Sequence, residues 1–213
     1  MLNTDIPSTL VKAFPKDLVM GVHDGLMAGA SRGYTRAKHD NAGHKKTILG
    51  YMRNWCMNEE FHTVLTANGC EPTPLRGNNL VVGKHGIFNI GRINDNNVAW
   101  NNLTRSKTRR ELASHNRFIE TLVQPGLFDE PGTIPTATVF FLARFSGSLS
   151  IQPESPLSIE LVVPSSNMKY WLFHEPLELF LTRYDVAPSQ SDNAFTRLKA
   201  GIGKKDGTEE DDV

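Results

Sequence analysis

Arg105-Ser106-Lys107-Thr108-Arg109-Arg110 places four cations within six residues, at the start of a segment that reads as a helix. The helix macrodipole favours acidic side chains at that end by about 0.3–1 kcal/mol each, so cations there work against it. Free helix N–H groups beside a cationic cluster instead suit phosphate. Ser106 and Thr108 add hydroxyl donors. Just upstream lie Asn94, Asp95, Asn96, Asn97, Asn101 and Asn102, with Trp100 among them. Asparagine amides hydrogen-bond base edges and an indole stacks on bases. Arg105, Lys107, Arg109 and Arg110 are therefore the expected phosphate contacts, with Trp100 as the stacking residue.

A second basic cluster comprises Arg32, Arg36, Lys38, His39, His44, Lys45 and Lys46. Its Gly43-His44-Lys45-Lys46-Thr47 ending invites comparison with the phosphate loop Gly-x4-Gly-Lys-Ser/Thr. Asp40 and Lys45 stand where both glycines are required, so that reading fails. Lys45 and Lys46 remain as supporting phosphate contacts.

Other chemistries find weaker patterns. His39, His44, Cys56, His62 and Cys70 include no Cys-x-x-Cys pair and no His pair on one helical turn, so no metal site is expected. Cys56 falls on the apolar face of a predicted helix, where a thiol acts as a small hydrophobe. Gly-x-Ser-x-Gly is absent. Metal-assisted hydrolysis needs carboxylates to hold the ion and a cation to stabilise developing charge. Asp129, Glu154 and Glu160 supply carboxylates around predicted strands, but Val162 stands where a catalytic Lys belongs. These three acids, with Mg, form the alternative catalytic reading; otherwise no catalytic residue and no cofactor is expected.

The 213 residues carry 23 Lys/Arg and 23 Asp/Glu, a formal charge of zero. The zero conceals a partition. Residues 1–128 hold 16 cations and 10 acids, and residues 129–213 hold 7 and 13. Such asymmetry points to a polyanion-binding face. Two cysteines do not make a disulfide scaffold, and the N-terminus lacks an apolar export segment. No apolar run approaches the roughly 20 residues of a membrane span. The expected setting is cytoplasmic, without membrane contact.

The elements that must position these residues follow from periodicity. Leu18, Val19, Val22, Leu26 and Met27 predict a helix, weakened by Gly21, Gly25 and Gly29; residues 31–44 read as a loop. A second helix is expected from about Lys45 through Cys56, with Asn58 capping a continuation to Gly69. Glu71-Pro72-Thr73-Pro74 reads as a linker. A hairpin follows, with Leu80–Val82 and Ile87–Ile90 flanking a Gly83–Gly86 turn. A helix from Thr108 to Val123 uses a Thr108/Glu111 capping box. Thr136–Phe145 and Leu157–Val163 predict strands, Trp171–Phe173 a third, and Glu175–Arg183 a short helix. The expected class is α+β, a mostly antiparallel sheet with helices packed on one face. The divisions are a helical N-terminal region (1–70), an α+β region (71–185) and a polar acidic tail (186–213) with five acids in its last eight residues.

The leading expectation is a non-enzymatic cytoplasmic protein that engages nucleic acid (DNA or RNA) or a protein partner through its basic surface. It would act as a regulator or as an antitoxin-like or immunity-like component. The alternatives are a divalent-metal nuclease or hydrolase and a purely structural interaction module.

Overall fold

The computed structural model describes residues 5–95, 104–121, 135–145 and 153–185. Among them, three helices lead into a five-stranded sheet: α1 (Ile6–Ala13), α2 (Lys16–Ala37) and α3 (Ala42–Ala67), then β1 (Val82–His85) and β2 (Phe88–Asp95). Two short helices follow, α4 (Lys107–Ser114) and α5 (Arg117–Glu120), then β3 (Ala137–Arg144), β4 (Ser158–Pro164), β5 (Trp171–Pro176) and α6 (Leu177–Thr182). Strand order in space is β1-β2-β3-β4-β5. Only β2 and β3 run parallel, joined by the crossover that carries α4 and α5. The other three pairings are antiparallel. The fold is α+β with a mostly antiparallel sheet. No described helix is long and apolar enough to cross a membrane.

Strand alternation sorts side chains between two faces. Val139, Phe141 and Ala143 of β3, with Ile159, Leu161 and Val163 of β4, join Leu18, Val22, Leu26, Met57, Phe61 and Leu65 of α2 and α3 in the main apolar cluster. Helical region and sheet thus share one core. The opposite face holds a smaller cluster of Ile93, Phe140, Leu142 and Val162, against which Leu112 of α4 packs.

Helix α2 continues through residues 31–37, where a loop was expected; the loop shrinks to the few residues before Ala42. Its glycines recur every fourth residue and lie along α3. A Cβ built on Gly29 would stand 2.8 Å from Met57 Cα, and one on Gly33 would stand 2.7 Å from Arg53 Cα and N. Backbone contact of that kind admits only hydrogen at these positions, so here glycine serves packing rather than helix breaking. Arg32 secures the pair by reaching Glu59 at 2.6 Å and Glu60 at 2.9 Å.

Three further boundaries differ from expectation. Helix α3 starts at Ala42, with Asn41 accepting from Gly43 N–H at 3.0 Å, and runs unbroken through Asn58. Asn58 does not cap because its amide is turned to Arg92. The hairpin turn narrows to Gly86-Ile87, Gly86 taking φ +56°, so Gly83, Lys84 and His85 belong to β1. The expected Thr108–Val123 helix begins at Lys107, with its N-cap two residues before Thr108. Ser106 is the N-cap, accepting from Arg109 N–H at 3.4 Å, and Glu111 pairs with Lys107 at 3.7 Å instead of closing a capping box. It then divides at Asn116. That fully buried side chain donates to Thr138 O at 2.9 Å and Pro164 O at 2.7 Å, and accepts from Thr138 N–H at 2.6 Å. Satisfying three backbone groups of the sheet takes precedence over continuing the helix.

The glycine packing gives opposed expectations for one chemical change. Alanine replaces glycine in an open helix with a gain of about 1 kcal/mol, and a Cβ at Gly50 of α3 would meet nothing within 4 Å. Overpacking costs about 1–3 kcal/mol. Urea unfolding should show Gly50→Ala stabilised by about 1 kcal/mol and Gly33→Ala destabilised by about 1–2 kcal/mol. Equal effects at the two positions would contradict the packing described.

Candidate anion-binding cavity

By strand alternation the face of β2 that carries Phe88 and Ile90 next presents residue 92, and there the sequence places an arginine. Arg92 is 3% exposed. Its guanidinium donates from Nε to Asn58 Oδ1 at 2.9 Å and from Nη1 to Asn94 Oδ1 at 2.7 Å. From Nη2 it donates to Asn54 O at 2.6 Å and to Asn54 Oδ1 at 2.9 Å. Asn54 and Asn58 are four apart on α3 and so share one helix face. A guanidinium has five N–H donors, which leaves one on Nη1 without a partner among the described residues. None of the four acceptors is a carboxylate. The neighbouring acid, Asp95, is drawn instead to Arg144 at 3.6 Å.

This group forms the floor of a cavity of about 690 Å³. Its described lining holds three arginines (Arg76, Arg92, Arg109), five asparagines (Asn54, Asn58, Asn78, Asn79, Asn94), the hydroxyl residues Thr73, Ser106 and Thr108, and no Asp or Glu. The start of α4 supplies Ser106, Thr108 and Arg109. The guanidinium of half-buried Arg109 has no hydrogen-bond or ion-pair partner among the described residues. Burial lowers the pKa of Arg109 below its ordinary value. Burial, and then the like charge of Arg109, bring Arg92 down to about 9, so Arg92 remains charged at neutral pH.

The remaining wall is the segment expected to be a linker. Thr73 N–H donates to Val82 O at 2.9 Å and Thr73 Oγ1 accepts from Val82 N–H at 3.0 Å, laying the Pro-flanked stretch along β1. Helix α3 holds its far end: Trp55 Nε1 donates to Asn78 Oδ1 at 3.0 Å and Asn58 Nδ2 to Asn79 O at 3.4 Å.

Of the residues expected to contact phosphate, Arg109 lines the cavity, while Arg105, Lys107 and Arg110 are exposed on and beside α4. Lys46 is exposed and Lys45 half-buried, both near the start of α3. Lys46 lies eight residues before Asn54, about 12 Å along the helix, and neither lysine lines the cavity. Trp100 and Asp129 lie outside the described residues, as does the acidic tail. Arg92, Asn54, Asn58, Arg76, Asn78 and Asn79 were missed by sequence reasoning. Arg92 had a signal: an arginine that interrupts the alternation Phe88-x-Ile90 on the buried face of a strand.

The two described acids of the alternative catalytic reading have separate partners. Glu154 accepts from Ser31 Oγ at 2.6 Å. Glu160 is held by Arg144 Nε at 2.8 Å and Nη2 at 2.9 Å, Ser158 Oγ at 2.8 Å and His174 Nε2 at 2.5 Å. Among the described residues no group of three or more His, Cys, Asp or Glu side chains could hold a metal ion. Desolvation pushes the Glu160 pKa up, but the hydrogen bonds from Arg144, His174 and Ser158 outweigh it and bring the carboxyl down to about 2.

A carboxyl with a lowered folded-state pKa stabilises the fold above its unfolded pKa, and that contribution is lost as pH falls toward the folded value. For Glu160 the loss runs from about pH 4.5 down to about 2. Denaturant unfolding at intervals between about pH 5 and 2.5 should show the native chain losing stability more steeply than Glu160→Gln. Parallel acid limbs would contradict the network.

Comparison of the chain with family models, with curated proteins and with solved structures finds no match in any of the three.

Proposed function

We propose that the chain is a non-enzymatic binding protein that takes the phosphate of a nucleic acid into the Arg92–Arg109 cavity. One observation carries the reading: two neighbouring guanidiniums, both partly or wholly withdrawn from water, face a cavity whose described lining has no carboxylate. An incoming anion relieves the repulsion between them and accepts their unused N–H groups. Arginine meets phosphate with a planar fork of donors, and such charge-assisted bonds are about twice as strong as neutral ones. The amides of Asn54, Asn78, Asn79 and Asn94 offer both donors and acceptors to whatever the phosphate carries. Arg105, Lys107 and Arg110 extend the positive surface outward from the cavity and suit the adjoining phosphates of a polymer.

Nucleic acid is favoured over a protein partner because the cavity combines uncompensated positive charge with amide donors and acceptors. The hydrolase reading through Asp129, Glu154 and Glu160 draws less support, since the oxygens of Glu160 are already engaged by Arg144, Ser158 and His174. A regulatory, antitoxin-like or immunity-like role in the cytoplasm is the biological setting that goes with nucleic-acid binding of this kind.

Fluorescence anisotropy with labelled DNA and RNA, from about 50 to 200 mM salt, tests the reading. The logarithm of affinity should fall linearly with the logarithm of salt. Arg109→Ala should weaken binding about tenfold at low salt and reduce the slope by about one unit. Absence of binding to either polymer at low salt, or an Arg109→Ala protein that binds as the native chain does, would overturn it.

A further inference from the structure

Beside the cavity lies a second depression of about 240 Å³, lined by Arg36, Trp55, Asn58, Glu59, Leu75, Arg76 and Gly77. The two share Asn58 and Arg76, so they adjoin. Trp55 is 39% exposed, Leu75 46% and the neighbouring Tyr51 47%, so large apolar groups stand uncovered beside the polar cavity. Tyr51 and Trp55 lie one turn apart on α3, with ring centroids 5.8 Å apart. The indole is pinned through Nε1 to Asn78, itself a lining residue of the main cavity. Its ring is therefore held in place while part of its surface stays uncovered. The one acid in its described lining, Glu59, is bound by Arg32 at 2.6 Å.

We propose that the two depressions together accept one unpaired nucleotide, with phosphate at Arg92 and Arg109 and base against Trp55, so that the chain selects single-stranded over double-stranded nucleic acid. The proposal rests on the phosphate-binding reading above and adds to it the state of the strand. The geometry carries the preference. Double-helical DNA is read by elements that protrude into its grooves, whereas here the cations and the indole line concavities. A base within a duplex is stacked above and below and presents only its edge. An unstacked base offers its face, and aromatic side chains bind that face with little regard to sequence. Placing Arg92, Arg109 and Trp55 around adjoining hollows provides for a base and its phosphate at once. Arg76, common to both hollows, stands where the sugar-phosphate must pass.

The test measures anisotropy with the full chain at about 50 mM salt, using single-stranded DNA and RNA 12-mers and the duplex made from each. A matched strand with abasic sites throughout is the fourth probe. The expected result is single strands of either sugar bound at least tenfold more tightly than duplex. Trp55→Ala should lose about tenfold on single strands and little on duplex. Trp55→Phe, which keeps a ring but not the bond to Asn78, should recover most of the loss. The abasic strand should bind the native chain no better than a normal strand binds Trp55→Ala, a comparison that needs no altered protein to fold. Equal affinity for single and double strands overturns the proposal, as does undiminished binding of the abasic strand. If Arg109→Ala weakens both forms while Trp55→Ala weakens neither, the stacking proposal falls and the phosphate reading stands. If no probe binds, both fall.

Discussion

A buried positive charge with no counter-ion among the described residues is the constraint around which this molecule is arranged. Removing an ion from water costs several kcal/mol even after the surroundings relax, and Arg92 is 3% exposed. Four hydrogen bonds to amide and carbonyl oxygens offset part of that cost while leaving the charge itself uncancelled. Those acceptors come from α3 and β2, so a single side chain ties the longest helix to the sheet. The same four bonds orient Asn54, Asn58 and Asn94, which then become walls of the cavity. Structure and site thus depend on one group. Replacing Arg92 by an apolar residue would fill a core position naturally but would remove the reason for the three asparagines.

That arrangement requires α3 to stay in register with the sheet, and two devices provide it. The glycines of α2 bring its backbone against Met57 and Arg53 of α3, and Arg32 pairs with Glu59 and Glu60 on the same helix. On the other side of the cavity, Asn116 fastens the α4–α5 junction to β3 and β4 through three short hydrogen bonds. Thr138 adds a bond from Oγ1 to Leu112 O at 2.7 Å. The start of α4, with Arg109, is thereby held opposite Arg92. The Glu160 network shows the contrasting way of burying charge. There Arg144 meets a carboxylate in bidentate geometry and the charges cancel. An arginine is neutralised there, whereas among the described residues no carboxylate meets Arg92.

The legible part of the sequence was its strong periodicity. Strands β3 and β4 stood out as apolar runs, and the α+β class followed from their spacing with the hairpin and helices. Boundaries failed where tertiary contacts override local preference. Gly29 and Gly33 look like helix breakers until a second backbone lies against them, and Asn58 looks like a cap until Arg92 takes its amide. Glu71–Pro74 looks like a linker because nothing local reveals that Thr73 will bond to Val82. The basic segment 105–110 spans the start of α4, where only Arg109 of its four cations lines the cavity, and sequence alone could not tell that inward arginine from its outward neighbours. The zero net charge was similarly uninformative. What matters is how few acids stand near two of the arginines, which is a property of the fold rather than of the composition.

The most direct measurement is side-chain NMR of the arginine Nε–H groups as a short oligothymidylate is added to the full chain. The account predicts saturable shifts of the Arg92 and Arg109 signals at one common affinity, with smaller changes at Arg105 and Arg110. Shifts confined to the exposed arginines, with Arg92 and Arg109 unmoved at saturation, would contradict it. They would mean that the buried charge belongs to the fold alone and that the strand is held only on the outside of α4.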